Sequence, residues 1–344
     1  MTNGKRKIAL LYGGRGCEHS VSLASAEYVW SIIDRRKYEL LCVFIDKAGA
    51  WWLLDGVLSP SGHDTYRASH KREVFPCRAG ELCGLFDGEK ILPVDCAIPL
   101  LHGDYGEDGR IQGALDSAGI PFTGADVITG AVCIDKGFTR ALAEQIGIPT
   151  ARGVSLPRAA SLEDAARAAR QIGFPVFVKP RRLGSSVGAG AARDEAELTS
   201  VFRRAALYGE VLIEEFIDGK RELEIGALFL RGRHILSPVG EVLCNGFYDF
   251  DKKYGGSTQT VCPADISGGV AEKIREYAVR LCEAASLCGT ARIDFFLSDG
   301  RLLFNEINTL PGFTKDSLYP ALMRAAGIDE GELFDLLVED AANR

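Results

Sequence analysis

Residues 7–12 (KIALLY), apolar from Ile8 on, read as a buried strand that stops at Gly13-Gly14, and a second mainly apolar run, 38–45, follows after the length of one helix. Strand, glycine turn, helix and strand in that order open an α/β unit with a parallel sheet. Ser20 or Ser22 is placed to cap the helix, which the pattern carries to about Arg35. Residues 51–54 read as a short third strand, 56–90 are turn-rich without an assignable period, and 94–101 are strand-like up to His102-Gly103. A helix over 110–118 and the Ile120-Pro121 break close this domain near Thr123.

The remainder is patterned differently. Helices are expected over 135–146, 162–172, 195–207, 270–285, 316–326 and 331–341, and strands over 174–179, 211–216 and 223–229. Residues 290–297 and 301–307 make a hairpin through Ser298-Asp299-Gly300. The expected organisation is an N-terminal parallel α/β domain over 1–124, a central subdomain over 125–210 and a C-terminal α+β domain over 211–344. The stretch 245–260 is polar, aromatic and glycine-bearing without a period. A loop of that length in a compact domain is usually functional, and it reads as a lid.

Composition narrows the function classes. A net charge of -7 argues against general nucleic-acid or anionic-membrane binding, though not against a local basic pocket for a phosphorylated ligand. The polar start leads straight into a strand, with no signal-peptide pattern and no run long enough to span a bilayer. The ten cysteines are scattered, with no CxxC pair and no metal-like spacing, which points to reduced thiols in a cytoplasmic protein.

The strongest chemical signal is the hairpin. Arg292 and Asp294 share one strand face, and Glu306 and Asn308 share a face of the partner strand. If the faces coincide, Asp294, Glu306 and Asn308 form an oxygen-rich cluster suited to Mg²⁺, with Arg292 beside it for an anion or a developing oxyanion. Taken alone, the same residues read equally as a surface charge pair. Lys179-Pro180 before Gly184-Ser185-Ser186-Val187-Gly188 is a plausible phosphate cradle, but not a Walker loop, and by itself it reads also as a plain turn. Glu214-Glu215-Phe216-Ile217 at a strand end, with Glu222 beyond, could read an adenine and a ribose; most such pairs are solvated surface. Finally, Gly13-Gly14 through Glu18 to Ser22, His102-Gly103 and Gly106-Glu107-Asp108-Gly109 sit at ends of parallel strands, where open α/β sheets bind ligands. A dinucleotide fingerprint fails there, because position 19 is His19 where the third glycine belongs.

Taken together with Asp135-Lys136 and with the run Asn305 to Thr314 (NEINTLPGFT), these segments resemble D-alanine–D-alanine ligases of the ATP-grasp superfamily, over about residues 7–340. The resemblance implies an ATP-grasp fold with ATP gripped between the central and C-terminal parts. It implies two Mg²⁺ ions, or Mn²⁺, on Asp294, Glu306 and Asn308. Lys136, Lys179, Ser185, Ser186 and Lys253 would contact the nucleotide phosphates. Glu214, Phe216 and Ile217 would hold the adenine edge and Glu222 the ribose. Glu18 would bind the ammonium of the first D-alanine, with His102 near its carboxylate. Arg292 and the Gly312 N–H would face the oxyanion, and Ser317 and Leu318 the second D-alanine. Tyr254 would reach toward Ser185 and Glu18 to close the site. The implied activity is D-alanyl-D-alanine synthesis through an acyl phosphate, for peptidoglycan precursors, by a cytoplasmic homodimer without nucleic-acid or membrane partners.

Gly16, Lys315-Asp316 and the extra Lys220 depart from the family pattern, and Lys220 makes the assignment of Glu222 less direct. The resemblance also admits D-alanine–D-serine or D-alanine–D-lactate synthesis. Tyr254, the lack of a histidine in 245–260 and Leu318 favour D-alanine. Another ATP-grasp ligase would lack the HG and GEDG segments, and a non-enzymatic nucleotide module would be expected to lose Arg292, Asp294, Glu306 or Asn308.

Overall fold

The computed structural model describes residues 4–60, 71–243 and 259–344. Its N-terminal segment runs β1 (Arg6–Gly13), α1 (His19–Ile32), β2 (Tyr38–Ile45), β3 (Trp51–Leu54), β4 (Arg72–Glu73), β5 (Phe75–Ala79), β6 (Leu82–Phe86), β7 (Ile91–Pro93), β8 (Cys96–Pro99) and α2 (Arg110–Ser117). β1 lies parallel to β2 and β8, as the two apolar runs require, while β3 and β4 extend the edge antiparallel. The stretch without a legible period thus holds strands after all, and β5, β6 and β7 form a small antiparallel sheet. These strands are short and carry Pro76, Gly84 and Pro93, so propensity hides them. No side chain caps α1: Glu18 holds the N-cap position. Ser22 has another task. Its Oγ accepts from the Gly13 N–H at 2.7 Å and donates to the Leu100 carbonyl, tying the ends of β1 and β8 together.

The middle segment runs α3 (Val127–Ile134), α4 (Lys136–Gln145), β9 (Gly153–Leu156), α5 (Leu162–Ile172), β10 (Val176–Pro180), β11 (Gly190–Ala192), α6 (Glu195–Ala206) and β12 (Val211–Glu215). Its strands make an antiparallel sheet in the order β11-β10-β12-β9, so this sheet runs on to Glu215. Helices α5 and α6 cover one face with Ala165, Ala168, Leu198 and Phe202. A capping box between Ser161 and Asp164 starts α5.

The last segment runs β13 (Arg221–Leu230), β14 (Arg233–Leu243), β15 (Gln259–Val261), α7 (Gly268–Ala284), β16 (Gly289–Ser298), β17 (Arg301–Asn308), α8 (Leu318–Ala325) and α9 (Glu330–Ala342). Its antiparallel sheet has the order β15-β14-β13-β16-β17. Gln259 and Thr260, expected within the loop, pair with Leu243 and Val242 instead. Leu223, Ile225, Ile293 and Phe295 alternate onto the α7 face and are fully buried. Period-two alternation therefore turns Glu222, Glu224, Arg292 and Asp294 to the other face. The chain ends return to its start: Tyr319, Phe334 and Leu337 share one core with Leu10 and Tyr12. Among the described residues no helix is long and apolar enough to cross a membrane.

Candidate active site

A cavity of about 400 Å³ lies between the middle and last sheets, lined by Lys136, Lys179, Glu214, Phe216, Ile217 and Glu222 among others. Two helix and strand ends deliver its cations. Lys136 opens α4 and meets Glu306 at 3.0 Å. Lys179, near the end of β10, meets Glu214 at 2.6 Å and Asn305 Oδ1 at 3.2 Å. Asn305 reaches Lys179 from a register break in the β16–β17 ladder, where a bulge re-aims a side chain. Glu214 is buried and also accepts from Arg140 at 2.9 Å. Glu222 pairs with Lys220 at 3.0 Å, and the Lys220 ammonium lies 3.7 Å above the Phe296 ring centre. The extra lysine is therefore folded onto the pocket wall.

The hairpin register resolves the question of faces. Asp294 stands opposite Glu306 and Arg292 opposite Asn308, so all four share one face. The Arg292 guanidinium grips Asp294 in a fork at 2.8 and 2.7 Å, and its Nε lies 2.7 Å from Glu224. Burial works against the Arg292 charge, but Asp294 and Glu224 outweigh it and push its pKa well above the ordinary value. Asn308 donates to Asp294 at 3.2 Å. Among the described residues no group of three or more His, Cys, Asp or Glu side chains is arranged as a metal site. This cluster offers two carboxylates and a carboxamide, a donor set that leaves most of a hard cation's shell to phosphate and water.

Glu18 lies at the meeting of two loops. Its Oε2 is 2.3 Å from where a Cβ on Gly103 would stand and 2.9 Å from where one on Gly184 would stand, so both loops approach only because they present glycine. Ser185 donates to Glu18 Oε1. Ser185 and Ser186 hold φ of 52° and 56°, a strained left-handed turn that concentrates at functional sites. His102 bonds the Leu310 carbonyl through Nδ1 at 2.9 Å; the carbonyl only accepts, so Nδ1 carries the proton. Its Nε2 lies 3.0 Å from Ser25 Oγ. Partial burial of the neighbouring Cys17 thiol, with Glu18 and Asp104 nearby, pushes its pKa up to about 11.

Glu107 joins this region to the last segment. Its carboxylate accepts from the Gly103 N–H at 2.9 Å and from the N–H groups of Thr309 and Leu310 at 3.2 and 3.3 Å. It thereby fixes the turn that leads to Gly312. Ser317 Oγ accepts from the Thr314 N–H at 2.9 Å, and a Cβ on Gly312 would stand 3.0 Å from it. Leu318 is buried against Val242 and Leu322. Lys253 and Tyr254 lie outside the described residues. Sequence reasoning gave no role to Glu224 or Arg140, and named Glu107 only as part of a loop at a strand end. Glu224 follows Glu222 at strand period, and that signal was available; the partners of the other two are distant in sequence.

The chain matches two family models: D-ala D-ala ligase N-terminus over residues 7–125 and D-ala D-ala ligase C-terminus over residues 142–339. It is 38% identical to the D-alanine–D-alanine ligase of Ruminiclostridium cellulolyticum, covering 99% of this chain and 96% of that protein. Among solved structures it resembles the VanG D-Ala:D-Ser ligase of Enterococcus faecalis, with a TM-score of 0.87 and 31% identity over 98% of this chain and 100% of that one. It also resembles the D-alanine–D-alanine ligase of Bacillus anthracis complexed with ATP, with a TM-score of 0.74 and 25% identity over 98% of both chains. Matching family models across both halves of the chain, full-length likeness to a curated ligase and a shared fold lead to one conclusion: this chain belongs to the D-alanine–D-alanine ligase family.

Proposed function

We propose that the chain uses ATP to join two D-alanines into D-alanyl-D-alanine. The observation that carries this reading is the closure of Glu18 between Gly103 and Gly184, with Ser185 on its carboxylate. An acceptor for an amino-acid ammonium there touches the loop that cradles phosphate, so substrate carboxylate and γ-phosphate are brought together. The ATP complex of the Bacillus anthracis ligase supports a nucleotide in the cavity beside it.

A carboxylate is a poor electrophile. In the proposed reaction one oxygen of the first D-alanine carboxylate bonds to the γ-phosphorus, the bond to ADP breaks, and an acyl phosphate forms. Such transfer needs positioning and charge neutralisation more than covalent help. Lys136 and Lys179, with Ser185 and Ser186, would meet the phosphates; Phe216, Ile217 and Glu214 would hold the adenine and Glu222 the ribose. The second D-alanine's amine then attacks the carbonyl carbon, its carboxylate directed by Ser317 and Leu318. Arg292 and the Gly312 N–H would receive the oxyanion before phosphate leaves. His102 would face the first substrate's carboxylate.

Asp294, Glu306 and Asn308 fit Mg²⁺, because two carboxylates and a carboxamide stand together on one face of the hairpin and leave the rest of the shell to phosphate and water. When bound, the ion would neutralise charge on the phosphate oxygens. Two further parts of the reading rest on other features. The outer face of β5–β7 bears exposed Phe75, Leu82 and Phe86, which supports burial against a second copy in a homodimer. The nine described cysteines are free, in keeping with the cytoplasm where ATP is available.

The test is phosphate release from ATP and Mg²⁺ with D-alanine alone, or with D-serine or D-lactate added, and product identification by mass. Phosphate with D-alanine alone, together with D-alanyl-D-alanine, is the expected result. A requirement for D-serine would favour D-alanine–D-serine ligation, the activity for which the Enterococcus faecalis protein is named.

A further inference from the structure

We propose that Arg140 is a positioning residue of the nucleotide pocket: it carries the standing counter-charge of Glu214 and so leaves Lys179 free to turn to an incoming triphosphate. The proposal rests on the nucleotide reading of the cavity given above.

Arg140 follows Lys136 by four residues on α4, so the two cations leave the same side of the helix. Lys136 meets Glu306, and Arg140 meets Glu214 Oε1 at 2.9 Å behind the cavity wall to which Glu214 belongs. The other oxygen of Glu214 takes Lys179 at 2.6 Å. Arg140 Nη2 is steadied from behind by Glu144 at 3.1 Å. The side chains of Arg140 and Glu214 are both only 8% exposed.

Gly153 supplies the independent observation. It stands opposite Glu214 in the β9–β12 ladder. Its φ is not left-handed, so conformational freedom is not the reason for glycine. A Cβ there would meet Arg140 Nη1, the Ile213 carbonyl oxygen at 2.8 Å and Glu214 Cγ at 2.9 Å. The glycine thus lets β9 lie close to β12 and leaves room for the guanidinium beside Glu214.

A buried carboxylate needs a cation. With Lys179 alone, Glu214 and the phosphates would compete for one ammonium. With Arg140 in place, the carboxylate stays balanced whichever way Lys179 points. The planar guanidinium can serve Glu214 and Glu144 at once, whereas a lysine would serve Glu214 only.

The experiment measures ADP binding by calorimetry and ATP kinetics on the full chain, for wild type, Arg140→Gln, Arg140→Lys, Glu214→Gln and the Arg140→Gln/Glu214→Gln double variant. Arg140→Gln is expected to weaken ADP binding and raise KM for ATP by about tenfold, equivalent to about 1.4 kcal/mol, with KM for D-alanine unchanged. Arg140→Lys should recover most of this. In the Glu214→Gln background, removal of Arg140 should add little, since the charge it balances is gone. That double variant removes both members of the buried Arg140–Glu214 pair at once; Lys179 keeps Asn305 and the half-exposed Glu144 keeps Thr150, so it carries the test even if Arg140→Gln does not fold. An Arg140→Gln protein with wild-type ADP affinity overturns the proposal, as does an equal loss of affinity in both backgrounds. A wild-type protein that binds no ADP overturns the nucleotide reading itself, which separates the two failures.

Discussion

Asp135 and Asp294 are both buried aspartates gripped by arginine, and the regions around them are built differently. Asp135 is fully buried where α4 begins. It accepts from the backbone N–H groups of Gly137 and Phe138 at 2.9 and 3.2 Å and from Arg181 and Arg182 at 2.6 and 2.7 Å. Burial raises its pKa, but the bonds from Arg182 and Arg181 outweigh this and hold it below the ordinary value. Asp294 is held by the side chains of Arg292 and Asn308. A carboxylate bonded to backbone cannot change partners without unwinding its helix. One bonded to side chains can exchange them for a ligand. The first region is a knot that fixes where Lys136 starts, and the second is a place where chemistry can enter.

The largest expected effect separates them directly. Asp294→Asn should lower kcat by on the order of 10²–10³-fold or more while thermal unfolding stays close to wild type, read by phosphate release and by melting. An unfolded Asp294→Asn protein would erase the contrast. Asp135→Ala should do the reverse: leaving the largely buried Arg181 without its carboxylate, it should cost about 3–5 kcal/mol in denaturant unfolding. The sign with pH follows from the depressed pKa. The contribution of Asp135 is complete above the ordinary value of 3.8 and is lost as pH falls through the lowered folded-state value. The Asp135→Ala variant should therefore lose part of the wild type's acid slope.

Glu18 gives a third case, since its bond from Ser185 is also a side-chain bond. Glu18→Gln should raise KM for D-alanine by about ten- to a hundredfold, the weight of a hydrogen bond to a charged group, with little change in stability. The smallest effect belongs outside both regions. Ser161→Ala removes the cap of α5 and should cost about 1 kcal/mol of stability at unchanged kcat.

Much of this was open to reading before any coordinates. Residues 7–12 and 38–45 became paired parallel strands because mainly apolar runs of this length belong to buried strands. The spacing of Arg292 with Asp294 and of Glu306 with Asn308 survived because strand periodicity is local. The small β5–β7 sheet was hidden, since its strands are short and depend on packing beneath, where Leu85 is fully buried. Ser22 was misread because its partners, Gly13 and Leu100, exist only once β1 and β8 lie side by side.

The sequence by itself determined the opening strand–helix–strand unit, the C-terminal hairpin, the glycine-bearing loops and the residue types available for chemistry, because each depends on neighbours within a turn or a strand pair. Only the tertiary structure decided which charges face one another. Arg140 finds Glu214 across 74 residues, Glu107 finds Leu310 across 203, and Ser185 finds Glu18 across 167. A buried charge takes its partner from whatever packing brings within hydrogen-bond reach, and local pattern carries no record of that choice.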